Sequence, residues 1–179
     1  MKRIRLLPFI LVLAVLACTA GLAGYVQPTR ALDLQYEEVS LSENVWEAIR
    51  LRQPVLVLSE SETESLLKKG LAAHPPLSGR LTVTGAAFEL QGDRLLADVN
   101  LLYAGKLKAG VRLEFKLSWH NPQLVATHVR TAVRSTEIPL SWFRLEPLHV
   151  NVGGLLPARI AVADVQFPGS EIRFALTWK

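Results

Sequence analysis

A single cysteine, Cys18, serves a chain of 179 residues, so no disulfide can close within it. Aromatic residues make up only 7% of the chain, and neither an aromatic-rich RNA-binding motif nor a zinc-finger spacing occurs. Excess charge is also scarce. The formal net charge of +4 falls to +1 once Lys2, Arg3 and Arg5 are set aside. A nearly neutral body does not suit nucleic acid, which asks for a clustered basic face. Histidine is thin and scattered, at His74, His120, His128 and His149, with no HExxH and no Cys/His cluster. No metal site is read from such spacing. His120 falls in a turn, and His128 and His149 fall on the polar parity of their strands, so all four read as surface histidines. No serine lies in a G-x-S-x-G elbow. Gly153-Gly154 is a lone pair that reads as a turn or bulge. Glu37 and Glu38, and Glu60, Glu62 and Glu64, read as solvated groups, and Asp164 as an outward residue at a bulge. With no catalytic constellation the expectation is a protein that is not an enzyme, with no cofactor.

One long hydrophobic run is present. The basic start "MKRIR" precedes residues 6–26, "LLPFILVLAVLACTAGLAGYV", which hold no charge. As a helix they would span about 31 Å, close to the roughly 30 Å hydrocarbon core of a bilayer. Pro8 sits in the first turn, where its missing N–H costs little. The reading is a plasma-membrane, single-pass anchor with the C-terminal domain outside the cytoplasm. Two alternatives stay open. Gly21-Leu22-Ala23 offers small residues for signal cleavage, and "VLAC" offers Cys18 for lipidation.

The remainder divides into a stalk at 27–53 and an extracytoplasmic domain at 54–179. Pro28 breaks the helix, and "SENVWEAIRLRQ" at 42–53 predicts a short helix, capped by Ser42, with Val45, Trp46 and Ile49 on one face. "PVLVLS" predicts a strand. "SETESLLKKGL" at 61–71 predicts a helix of about ten residues, with Ser61 and Glu64 at capping-box spacing. From Leu77 onward strand alternation dominates, with a parity slip at Ala86-Ala87 that predicts a bulge. In "QLVATHVRTAVR" the alternation puts Val125, Thr127, Val129, Thr131 and Val133 on one face. Pro139 predicts a turn within "EIPLSWFRLEP". The fold class is α+β: after the anchor comes a curved antiparallel sheet of about six or seven strands, packed by one or two helices as a half-tube or half-barrel.

The clearest strand is "KAGVRLEFKLSW", with Val111, Leu113, Phe115, Leu117 and Trp119 on one face. A helix of about ten residues is some 15 Å long and cannot cover strands of about 30 Å. The uncovered apolar strip, joined by Trp142, Phe143 and Trp178, is the candidate ligand groove. Three functions compete: a module binding a lipid or other hydrophobic ligand at the cell envelope, a structural or interaction domain for an envelope protein partner, and, least supported, an enzyme.

The order of elements carries a resemblance. A strand leads into "LSESETESLLKKGL", a meander and "EIPLSWF" follow, and "LPARIAVADVQFPGSEIRFAL" closes, with Ile172, Phe174 and Leu176 as an I-x-F-x-L ending. This resembles the YpmS-like family of uncharacterised single-pass bacterial membrane proteins over residues 54–179. It departs at Leu66-Leu67, where that family often has Leu-Asn. The tail is also similar to the tubular lipid-binding (TULIP-like) envelope proteins, in which a long helix and a curved sheet surround acyl chains. The resemblance implies an envelope location and no catalytic residues.

Overall fold

β-Branched and aromatic residues at alternate positions favour extended chain, and strands account for most of the protein beyond residue 54. The computed structural model describes residues 21, 24–50, 54–73, 76–78 and 80–178. The elements run α1 (Leu41–Arg50), β1 (Val55–Ser59), α2 (Glu60–Ala73), β2 (Pro76–Ser78), β3 (Leu81–Gln91), β4 (Arg94–Tyr103), β5 (Leu107–His120), β6 (Gln123–Val133), β7 (Thr136–Ile138), β8 (Leu148–Asn151), a 3-10 turn (Val152–Leu155), β9 (Ile160–Gln166) and β10 (Glu171–Trp178). The class is α+β with antiparallel pairing. The strands form two sheets rather than one: β1-β10-β9, and β2-β3-β4-β5-β6-β7 with β8 also on β6. Among the described residues no helix is long and apolar enough to cross a membrane. The expected anchor at 6–26 lies almost wholly outside the described residues.

The core lies between the sheets. Leu56, Leu58, Val162, Val165, Ile172 and Phe174 from the three-stranded sheet cluster with Leu90, Leu95, Ala97, Phe115 and Leu117 from the larger one. Burying each of the larger of these side chains is worth about 1.5–3 kcal/mol. Val45 of α1 and Val152 of the 3-10 turn close the ends.

α2 is longer than its apolar stripe suggested, with 14 residues. Its start also lies earlier. Ser59 and Glu62 form the capping box: the Glu62 N–H donates to Ser59 Oγ at 3.3 Å, and the Ser59 N–H to Glu62 Oε2 at 2.9 Å. Glu60 and Glu64 are thereby freed to face β3. They accept hydrogen bonds from the backbone N–H groups of Leu90 (3.1 Å) and Phe88 (3.4 Å). Further along that edge the Ala86 N–H donates to Asp33 O and the Gly92 N–H to Gly169 O. Three alternate donors on the outer edge of β3, and a fourth in the turn just past it, are thus covered, which blocks pairing with another chain. In α1, Val45 is buried but Trp46 points to solvent, so the expected shared face of Val45, Trp46 and Ile49 does not form.

Of the four register shifts among the described strands, three decide which side chains face the core. Val83 pairs with Leu101 and Gly85 with Asn100, so Thr84 is the extra residue, two positions before the expected slip. Leu176 pairs with Val162 and Ala175 with Asp164, leaving Ala163 extra and Asp164 outward, as expected. The third, at Val129, reshapes the candidate site.

Candidate functional site

The strip on β5 is assembled largely as its alternation predicts. Phe115 and Leu117 are buried in the core, and Leu113 and Trp119 pack against it half-buried. Val111 is half-buried nearer the Leu107 end of the strand. The three expected additions divide. Phe143 reaches the strip through an imidazole: its ring lies 5.9 Å from that of His128, edge-on at 78°. Trp142 and Trp178 do not converge on it, being 82% and 67% exposed. Trp142 is held outward by the turn in which its N–H donates to Pro139 O. Trp178 is the last described residue of β10 and runs past the core.

The strip is covered where side chains of the small sheet and of α2 pack into the same core cluster as Phe115 and Leu117. Towards the β4–β5 turn the cover ends, and Tyr103 and Leu107 are 47% and 42% exposed.

His128 corrects a sequence reading. Glu114 pairs with Arg130 and Phe115 with His128, so Val129 is bulged out of the ladder. The bulge reverses parity between its two sides. His128 and Thr131 both turn inward, while Val129 turns out. His128 is 2% exposed, not a surface histidine. Its ring packs on Phe115 at 5.5 Å. Nδ1 accepts the Leu145 N–H at 3.1 Å, so the proton sits on Nε2. Nε2–H faces Arg130 O at 2.9 Å and Thr131 Oγ1 at 2.8 Å. Burial lowers the imidazole pKa, Arg144 lowers it further, and the Arg130 carbonyl opposes both. The neutral ring is therefore a structural joint that ties the 139–147 segment to the sheet. The other described histidines are exposed: His149 Nδ1 meets Gln123 Oε1 at 3.1 Å, and His120 lies at the end of β5.

The opposite face of the larger sheet carries a feature the sequence reading missed. Residues 27–39, expected as a stalk, lie across the strands as a strap. Tyr25 Oη meets Thr136 Oγ1 at 2.8 Å, and Arg134 donates to Gly24 O at 3.1 Å. Pro28 passes over Gly110 of β5, where an added Cβ would lie 2.9 Å from Pro28 Cα. Asn100 of β4 donates to Arg30 O at 2.9 Å. A Cβ on Gly85 of β3 would overlap the Leu32 carbonyl. Gly85, Asn100 and Gly110 are neighbours in register, so they form one transverse track of low side chains. Beyond it Lys68 of α2 reaches Asp33 at 3.9 Å and Lys69 reaches Glu38 at 2.6 Å. The signal was present as two glycines and an asparagine on polar-parity positions, but their alignment depends on strand register.

Between strap and sheet lies a cavity of about 190 Å³. Its polar lining includes Gln27, Thr29, Arg30, Asp98, Arg112 and Arg134. Arg112 binds Asp98 with two bonds, Nε to Oδ1 at 2.6 Å and Nη2 to Oδ2 at 2.7 Å. That pair holds the guanidinium pKa above its ordinary value. Among the described residues, neither Arg30 nor Arg134 has a carboxylate partner.

No family model matches the chain, and neither a curated protein nor a solved structure matches it.

Proposed function

We propose that the chain is a membrane-anchored extracytoplasmic protein, not an enzyme, whose domain acts as an interaction module for an envelope protein partner. The observation that carries this reading is the filled interior: the β5 strip packs on a second sheet instead of lining an open half-tube. The neutral His128, committed on both ring nitrogens, offers no free acid or base. The outward Trp142 and Trp178 offer contact area of the kind that anchors protein interfaces. The uncharged run at 6–26 and the basic residues before it support the membrane location.

A second reading keeps a lipid or other hydrophobic ligand. Its support is the uncovered apolar end at Tyr103 and Leu107, where an acyl chain could extend the core without entering it. One experiment separates the two. A photoreactive residue is placed at Trp142, and separately at Leu107, in the full chain in its own cells. The module reading expects a discrete protein adduct from position 142. The ligand reading expects lipid adducts from position 107 and none with protein at 142.

A further inference from the structure

We propose that the cavity beneath the strap binds a phosphate group, carried either by an anionic lipid headgroup or by a free phosphate. The lipid source rests on the membrane-anchored reading above; the phosphate chemistry does not.

The argument begins with charge. Three arginines, Arg30, Arg112 and Arg134, are among the residues lining one cavity, against a single acidic residue, Asp98. Both Asp98 oxygens are engaged by Arg112, so that carboxylate is neutralised locally. Arg134 spends one donor on Gly24 O and stacks on the Tyr25 ring at 5.1 Å, which fixes its direction. Arg30 is anchored through its carbonyl by Asn100, leaving the guanidinium without an acidic partner among the described residues. Arginine forks match the several oxygens of a phosphate better than a point charge does. Gln27 and Thr29 add neutral polar groups to the same wall. The space of about 190 Å³ is well beyond what a single water needs and has room for a small tetrahedral anion.

Position then names the lipid. Tyr25 and Gly24, which hold Arg134, belong to the last residues of the uncharged run 6–26. Arg30 follows Val26 by four residues, at most about 14 Å of extended chain. The headgroup layer is about 5–7 Å deep on each side, and charges beyond it are felt over a Debye length of about 8–10 Å. Gly24 and Tyr25 are docked on Arg134 and Thr136, so a chain leaving the bilayer just before them brings Arg134 and the cavity mouth to the headgroups. Bound there, a phosphate would also bridge strap and sheet, which gives the domain a fixed stance on the surface.

The test uses the full chain in maltoside micelles and calorimetry. One arm titrates inorganic phosphate. The other titrates dioctanoyl phosphatidylglycerol, with dioctanoyl phosphatidylcholine as the zwitterionic control. Arg30→Gln and Arg134→Gln are each compared with Arg173→Gln, a guanidinium on β10 away from the cavity. Saturable binding that weakens about tenfold in each cavity variant and is unchanged in Arg173→Gln is the expected result. Binding in the lipid arm assigns the headgroup, and binding in the phosphate arm alone assigns the free anion. Among the described residues the Arg30 side chain makes no bond that holds the fold, so its variant separates binding from strap docking. Binding that is absent in both arms, or indifferent to Arg30 and Arg134, overturns the proposal. A cytoplasmic C-terminus would remove the membrane reading yet leave the phosphate arm able to decide.

Discussion

The Leu145 backbone N–H donates to His128 Nδ1 at 3.1 Å, and that bond fixes the imidazole as the neutral Nε2–H form. Protonation would set two donors face to face and release the segment that carries Phe143. Burial disfavours the charged ring, the Arg130 carbonyl opposes this, Arg144 adds like charge, and no acid is among the groups that shift it. The folded pKa lies below the ordinary value of 6.5. The unfolded chain therefore takes up the proton first as pH falls. Stability from this site is complete above about pH 6.5 and is lost as pH drops towards the folded pKa, by up to about 1.4 kcal/mol per unit. Urea melts between about pH 7 and pH 5 should show that slope in the native chain. His128→Gln, which keeps a donor and an acceptor but does not titrate, should flatten it. An equal slope in both would place the pH dependence elsewhere.

Gly85 is required by its neighbour across the strap. A Cβ there would overlap the Leu32 carbonyl and lie 2.7 Å from Asp33 N, and both are backbone atoms that cannot rotate aside. Gly85→Ala should cost about 1–3 kcal/mol and lift the strap off the sheet. Hydrogen exchange should report it: the Ala86 N–H, bonded to Asp33 O, should lose protection while the core of β5 keeps it. A variant as stable as the native chain, with Ala86 still protected, would refute the close approach.

Glu60 and Glu64 act on a strand edge rather than in solvent. Replacing Glu60 by Ala leaves the Leu90 N–H without its acceptor and should destabilise the domain by about 1–3 kcal/mol. Glu60→Gln keeps an acceptor and should recover most of that. The Ala variant should also form oligomers in size-exclusion runs as the edge of β3 opens. Indistinguishable denaturation curves for the Ala and native chains would mean water replaces the carboxylate at no cost.

The strands were legible because period two survives in one dimension: Leu113, Phe115 and Leu117 face one way in sequence and in space. The turn at Pro139 and the outward Asp164 were legible for a similar reason, since local backbone chemistry decides them. His128 was not. Its parity depends on a bulge at Val129, and nothing in "VATHVRTAV" separates a bulged strand from a regular one until β5 supplies the register. The strap was hidden likewise. "QPTRALDLQYEEV" is polar and rich in breakers, which fits a free stalk, and its docking track exists only when Gly85, Asn100 and Gly110 are aligned by pairing. The cavity, which needs both strap and register, could not be read from composition.

Charge on either side of the apolar run predicts the orientation of the whole protein. Lys2, Arg3 and Arg5 precede it, while Arg30 is the one basic residue between positions 27 and 49. Basic residues near a span stay in the cytoplasm, and acids contribute little to the choice. A reporter enzyme active only outside the cytoplasm, fused after Lys179, should therefore be active. Exchanging Lys2, Arg3 and Arg5 for Gln removes the bias and leaves Arg30 as the dominant charge, so activity should fall as part of the population inverts. Strap docking strengthens the inference that the two ends travel together, because Gly24 and Tyr25 are bonded to Arg134 and Thr136 and leave no free linker between run and domain. An inactive fusion, beside a cytoplasmic reporter that is active at the same position, would reverse the assigned topology.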